Sequence, residues 1–231
     1  MQVIIGSARI DENGKAKGGK AGDNNGKEVS TQNYYTSSKG WVGLRAKDKK
    51  LSGKLAKAMD EACANNNIGY DQNERLGVIK QLRLYGELAD ISVKTECDCS
   101  SLVRACVIQA AGFDPGNFTT ANEKTALLNT GLFTEVTINK SDDVRTGDIL
   151  VTKTKGHTVI VTEGPDISEA KPFPKGTVTA SCLHVRNKPD KSGDHIRYLY
   201  KGNKVTIYGK ENGWARIGSG EYASLKYIKE D

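Results

Sequence analysis

Nowhere in the 231 residues is there an apolar run approaching the roughly 18 residues that a membrane-spanning helix needs, so membrane insertion is not expected. The opening Met1-Gln2-Val3-Ile4-Ile5-Gly6 lacks both a basic region and a long apolar core, so no secretory signal is expected either. A route to the outside that does not use a signal would then be needed for any extracellular work. Cysteines are few and odd in number, at 63, 97, 99, 106 and 182. They lack paired metal-ligand spacing, and Cys97-Asp98-Cys99 is too tight for a C-x-x-C redox or zinc pair, so neither a disulfide framework nor a metal or cofactor is expected. Histidine is scarcer still, at 157, 184 and 195 only. Dense basic runs are absent as well: the net charge of +6 comes from scattered lysines with little aromatic interleaving. Such a balance suits an anionic partner such as cell wall and argues against nucleic acid.

What is present changes character along the chain. Residues 1–50 are rich in Gly, Lys and Asn and read mainly as loops, with short strands near Val3–Ile5 and Trp41–Leu44. Asp23-Asn24-Asn25-Gly26 has a calcium-loop flavour but lacks the later bidentate Glu and the spacing, and reads as a turn. Apolar residues at helical spacing (Leu55, Met59, Cys63) predict a helix over Leu51–Asn65 with Ser52 helping to cap it. Further helices are expected at Asn73–Tyr85, from Cys99 to Gly112, and at Thr120–Asn129. Strands then follow at Phe133–Ile138, Ile149–Thr152 and Gly156–Thr162. Helices followed by antiparallel strands predict an α+β domain over residues 1–165. Three of the five prolines lie at 165, 172 and 174, which marks residues 166–176 as a linker. Residues 177–231 read as six short strands with Gly- or Asn-containing turns, a small all-β barrel.

The chemistry gathers at Asp98-Cys99-Ser100-Ser101. This polar cluster opens a helix whose buried face is Leu102, Val103, Cys106, Val107 and Ala110. Asp98 or Ser100 can cap the first turn. Cys99 then lies where the helix dipole favours an anion and a thiol can act as nucleophile. Cys97 precedes the helix and gains less. A nucleophilic thiol needs a base, and His157 is the one histidine outside the C-terminal barrel. A lone His at a strand start is ordinarily structural, but its coincidence with a helix-opening cysteine favours a Cys99–His157 dyad. For a group to orient the imidazole, Glu163 is too distant, about 20 Å along a straight strand. A hairpin at Gly164-Pro165 would bring Glu169 back to the level of His157, with Asp166 and Asp23 behind it.

Three blocks carry a family resemblance. Asp98-Cys99-Ser100-Ser101-Leu102-Val103 resembles the D-C-S-G-L-V signature of NlpC-type, papain-like cell-wall peptidases, with Ser101 in place of the usual Gly. Arg145-Thr146-Gly147-Asp148-Ile149-Leu150 resembles the strand that precedes their histidine. Gly156-His157-Thr158-Val159-Ile160-Val161 resembles their histidine strand, from which Thr158 and the missing following Gly depart. Their order and spacing agree with that family over residues 85–165. The resemblance implies a papain-like fold and a cysteine peptidase that cuts peptidoglycan stem peptides, often after γ-D-glutamate. It also implies that Asp98 and Ser100 hold the substrate's amino end, and that an upstream tyrosine lines the site, with Tyr34, Tyr35, Tyr70 and Tyr85 all candidates. Residues 177–231 resemble a bacterial SH3-like domain, which implies wall binding that concentrates a tethered enzyme on its substrate. Together the two resemblances point to an endolysin-like monomer, made in the cytoplasm and acting on peptidoglycan after release. The alternatives are a muramoyl-L-alanine amidase with the same dyad, a non-catalytic wall-binding protein, and an oxidoreductase using Cys97 and Cys99.

Overall fold

The computed structural model describes residues 2–22, 27–154, 156–167 and 173–230. The chain divides into two compact units, one of residues up to 126 with 134–170, the other of 127–133 with 171 onward.

The first unit contains, in chain order, strands β1 (Ile4–Ala8), β2 (Val29–Asn33) and β3 (Trp41–Ala46), helix α1 (Lys49–Ala64), strand β4 (Ile68–Tyr70), helix α2 (Gly77–Tyr85), strand β5 (Thr95–Cys97) and helix α3 (Cys99–Ala111). Helix α4 (Glu123–Asn129) and strand β6 (Phe133–Ile138), which each share residues with the second unit, and strands β7 (Ile149–Thr152) and β8 (Thr158–Glu163) follow. The main sheet runs in the order β2-β1-β8-β7-β3-β6, and the pairs from β2 to β3 are antiparallel. Helices α1 and α3 pack together and against β8 and β1. Gly6 permits that approach, since a Cβ there would lie 2.5 Å from Met59 Cγ. A second apolar group of Val3, Ile5, Trp41, Leu150, Val159 and Val161 fills out the sheet.

The N-terminal stretch expected to be mostly loops therefore supplies three of the six strands. β2 escaped notice because its Val-Ser-Thr-Gln-Asn is polar, as suits an edge strand with one partner, β1. Asp48, not Ser52, caps α1: its carboxylate accepts from Lys50 N–H at 2.7 Å. Ser52 is buried in the first turn and donates to the Thr146 carbonyl instead. Helix α2 begins at Gly77, four residues later than expected, because Asp71 accepts from Asn73 N–H at 2.7 Å and holds that segment as a turn. Asp148 is fully buried and takes both arms of Arg45, at 2.9 and 2.7 Å, which ties the start of β7 to β3.

Residues 173–230 of the second unit are all strand, turn and loop apart from one short turn of helix. It comprises β9 (Lys175–Val178), β10 (Cys182–Arg186), β11 (His195–Tyr200), β12 (Lys204–Thr206), β13 (Gly209–Glu211), β14 (Trp214–Gly218), β15 (Glu221–Ser224) and β16 (Ile228–Glu230). These form a five-stranded sheet, β11-β10-β15-β14-β13, and a three-stranded one, β12-β9-β16. Their shared core includes Val178, Val185, Ile207, Ala215, Ala223 and Ile228.

Candidate active site

The site forms where α3 begins. β5 delivers the chain to Asp98, whose extended backbone makes it the N-cap of α3. Its Oδ1 accepts from Ser101 N–H at 2.6 Å, while Ser101 Oγ accepts from Asp98 N–H at 2.9 Å. This reciprocal box fixes the helix start. It also gives Ser101, the residue standing in a Gly position, a structural task. Cys99 is the first helical residue and is buried, only 8% exposed. As at any helix start, the first-turn N–H groups have no acceptor within the helix.

The thiol of Cys99 lies against the backbone N–H groups of Ser100 and of Thr158, the first residue of β8. His157 is thus one residue from a group that touches the thiol. Its main chain is pinned by Thr152, whose Oγ1 accepts from His157 N–H at 3.1 Å and whose N–H donates to the His157 carbonyl at 3.0 Å. The imidazole reaches a cleft of about 320 Å³ lined by Tyr35, Ser37, Lys39, Thr152 and Gly156. Among the described residues no hydrogen bond joins the imidazole to the thiol.

Burial shapes the protonation of both groups. Burial first, then the charges of Asp98 and Glu123, push the Cys99 thiol up to about 12. Burial and the Arg9 guanidinium push His157 down to about 4. At neutral pH the resting pair is therefore thiol and neutral imidazole, and the helix dipole does not overcome desolvation.

Asp98 and Ser100 are held tightly from the far side. Arg75 donates to Asp98 Oδ2 at 2.7 Å, to Ser100 Oγ at 3.0 Å and to the Phe118 carbonyl at 2.6 Å. Ser100 in turn donates to Asp98 Oδ1 at 2.9 Å. Two of the four tyrosines stand by the nucleophile. Tyr70 is raised to about 12 by burial and then by the charges of Cys99 and Asp98. Tyr35 is raised by burial, with Cys99 contributing, and packs edge-on to Trp41. Tyr34 interacts with Thr36 and Asp143 instead, and Tyr85 accepts from Ser92.

Glu123, at the start of α4, was missed by sequence reasoning. It is fully buried, and its Oε1 accepts from Thr158 Oγ1 at 2.6 Å. Burial pushes its carboxyl up to about 8, with Asp98 adding to the rise. The sequence signal for it was Thr158 itself, a polar side chain where the resembled motif has an apolar one.

Other candidates lie elsewhere. Cys97 is fully buried and donates to the Gly69 carbonyl at 3.3 Å. Asp166 pairs with Lys49 at 3.2 Å, beyond the far end of β8, a strand of six residues that spans about 20 Å from the His157 end. Glu169 and Asp23 lie outside the described residues. All five cysteines are free, and no helix among the described residues is long and apolar enough to cross a membrane.

Comparison with known families places these features in context. A family described as an endolysin-like domain matches residues 5–167, most of the chain and all of the site above. A bacterial SH3 domain matches residues 181–229, which takes in the strands from β10 to most of β16. No curated protein and no solved structure matches the chain.

Proposed function

We infer the activity from the family: the chain belongs to the endolysin-like domain family and ends in a bacterial SH3 domain, the combination of a phage endolysin-like, peptidoglycan-acting cell-wall enzyme. Within that class we propose a cysteine endopeptidase of papain-like, NlpC type that hydrolyses stem-peptide amide bonds after γ-D-glutamate. The observation that carries it is the seating of the Cys99 thiol at the start of α3 against the backbone of Thr158, the residue after His157.

In the proposed reaction His157 removes the thiol proton as Cys99 Sγ attacks the scissile carbonyl carbon. The developing oxyanion takes hydrogen bonds from first-turn N–H groups of α3, Cys99's own being the nearest. Collapse of the tetrahedral intermediate breaks the C–N bond, and His157 returns the proton to the leaving amine. Water, deprotonated by His157, then hydrolyses the thioester and restores the thiol. Since the resting groups are neutral, proton transfer accompanies attack and no preformed ion pair is required. Glu169 is the proposed orienting group. Asp98 and Ser100, besides fixing the helix start, are proposed to meet the substrate's amino end, while the SH3 domain holds the enzyme on the wall.

The test is digestion of purified peptidoglycan followed by mass spectrometry of the products. New N-termini within the stem peptide, lost in Cys99→Ala, are expected. Release of peptides with free N-terminal L-alanine would instead establish the amidase reading. Undiminished lysis by Cys99→Ala would overturn both thiol mechanisms.

A further inference from the structure

The cleft beside His157 holds a cation that the thiol chemistry does not use. Strands β2 and β3 are four antiparallel steps apart in the main sheet and so run the same way. Residues 34–40, which join them, therefore carry the chain back to the end of the sheet where β3 starts and β7 finishes. There Trp41, first in β3, is the register partner of Thr152, last in β7. A tight turn closes the connection. Gly40 N–H donates to the Ser37 carbonyl at 2.9 Å, Lys39 N–H donates to Ser37 Oγ at 3.2 Å, and Gly40 takes a φ of 66°. The Gly40 carbonyl then accepts from Lys153 N–H at 3.2 Å, which holds the turn against the segment leading to His157.

Lys39 is the residue that this turn presents to the cleft. A Cβ built at Gly156 would lie 2.6 Å from Lys39 Nζ, so the ammonium covers the residue just before His157 and a glycine there leaves it room. Gly156 is itself held, its N–H donating to Thr120 Oγ1 at 3.0 Å. Around the ammonium the described lining offers hydroxyls, from Tyr35, Ser37, Ser38 and Thr152, and no carboxylate. Arg9 adds positive charge nearby, acting on both Tyr35 and His157. Its guanidinium, however, is engaged by Gln32 and Ser30, whereas Lys39 carries its charge into the lining itself.

A cleft of about 320 Å³ with an ammonium, several hydroxyls and no acid suits a substrate group that is anionic and accepts hydrogen bonds. Stem peptides carry such a group in two places. One is the α-carboxylate of the γ-linked glutamyl residue, three carbons from the scissile carbonyl. The other is the side-chain carboxylate of a following diamino acid such as diaminopimelate. We propose that Lys39 is a specificity residue that receives a carboxylate of the stem peptide, so that the enzyme distinguishes a free carboxylate from a carboxamide at that position. The inference rests on the peptidase reading of the same cleft. Lys39 meets a part of the substrate away from the reacting atoms, so its contribution belongs to KM more than to kcat.

The test uses two pairs of synthetic tetrapeptides. One pair is L-alanyl-γ-D-glutamyl-L-lysyl-D-alanine and its glutamyl α-carboxamide; the other has diaminopimelate in place of lysine, with the side-chain carboxyl free or amidated. Binding to the full chain carrying Cys99→Ala is measured by calorimetry, and cleavage by the full wild-type chain is measured alongside. Amidating the carboxylate that meets Lys39 is expected to weaken binding about fivefold, the strength of a good exposed ion pair, and to raise KM with kcat little changed. Whichever pair shows the loss identifies the source of the carboxylate. Lys39→Met, in either background, should erase the difference, and Lys153→Met, on the flank of the turn, should keep it. Equal binding of carboxylate and carboxamide in both pairs would overturn the proposal. So would a preference that survives Lys39→Met, or one lost equally in Lys153→Met. Binding that discriminates without any cleavage would fault the peptidase reading and not the recognition, and cleavage without discrimination would do the reverse.

Discussion

Arg75 grips Asp98 from behind, donating to its Oδ2 at 2.7 Å while Asp98 Oδ1 caps the helix that begins with Cys99. One guanidinium thereby fixes the residue before the nucleophile, the Ser100 hydroxyl after it and the Phe118 carbonyl. Positioning of this kind matters because a thiol displaced by an ångström loses its line of attack.

Removing that grip should be costly. Arg75→Ala leaves a largely buried carboxylate without its cation and is expected to lower stability by about 3 kcal/mol, read from urea unfolding. Arg75→Lys should recover little of it, because an ammonium cannot span the four acceptors, Asn117 Oδ1 included, that are set out for a planar fork. Full recovery by lysine would show that charge alone, not geometry, holds the segment.

Glu123 carries a pH signature. Its folded value of about 8 lies above the ordinary 4.5. Between those values the native state keeps the proton that the unfolded chain has lost, so stability falls as pH rises through the window and levels off above pH 8. Glu123→Gln keeps an acceptor for Thr158 but cannot ionise. The decline in melting temperature from pH 5 to pH 8 should be shallower in the variant than in wild type, the remainder coming from other buried carboxyls such as Glu96, which burial also pushes up to about 8. Equal slopes would mean that Glu123 stays ionised in the native protein. Glu123→Ala, which leaves the Thr158 hydroxyl unpaired, should cost about 1–3 kcal/mol and reduce lysis where Glu123→Gln does not.

Helix α3 was legible because a capped start and an apolar face at 102, 103, 106, 107 and 110 repeat one message at several levels. β6 and β7 were legible for the same reason. Contacts across long stretches of chain were not. β2 is polar along its length and owes its strand form to β1, about 25 residues earlier. The Thr158–Glu123 bond joins positions 35 apart, and Arg75 meets Phe118 across 43. Neither pair leaves a periodic trace. Two of the departures from the resembled motif, Ser101 and Thr158, were nevertheless visible, and each proves to have a partner that explains it: Asp98 three residues away for Ser101, and the distant Glu123 for Thr158.

Gly147 turns the chain into β7 with φ near +79°, a conformation that side chains disfavour, and a Cβ there would collide with the Ser52 carbonyl. The obstacle is backbone of α1, so it cannot swing aside. Gly147→Ala is expected to destabilise by more than the 1 kcal/mol or so of a simple left-handed penalty, about 2–3 kcal/mol by chemical unfolding. A loss below about 0.5 kcal/mol would mean that α1 and the turn are loosely joined.

The protonation of the resting dyad is open to direct titration. Cys182 is exposed, so the measurement belongs in a Cys182→Ser background, with alkylation by iodoacetamide followed on the peptide containing Cys99. With the thiol near 12 and His157 near 4, the alkylation rate should climb about tenfold per pH unit through pH 7 to 9 without a plateau. A preformed thiolate–imidazolium pair would give a flat profile from about pH 5 upward, since the thiol would already be ionised. Glu123→Gln discriminates further. Taking away a buried anion that raises the thiol should move the curve to lower pH, and an unmoved curve would mean that Glu123 is already protonated whenever Cys99 ionises.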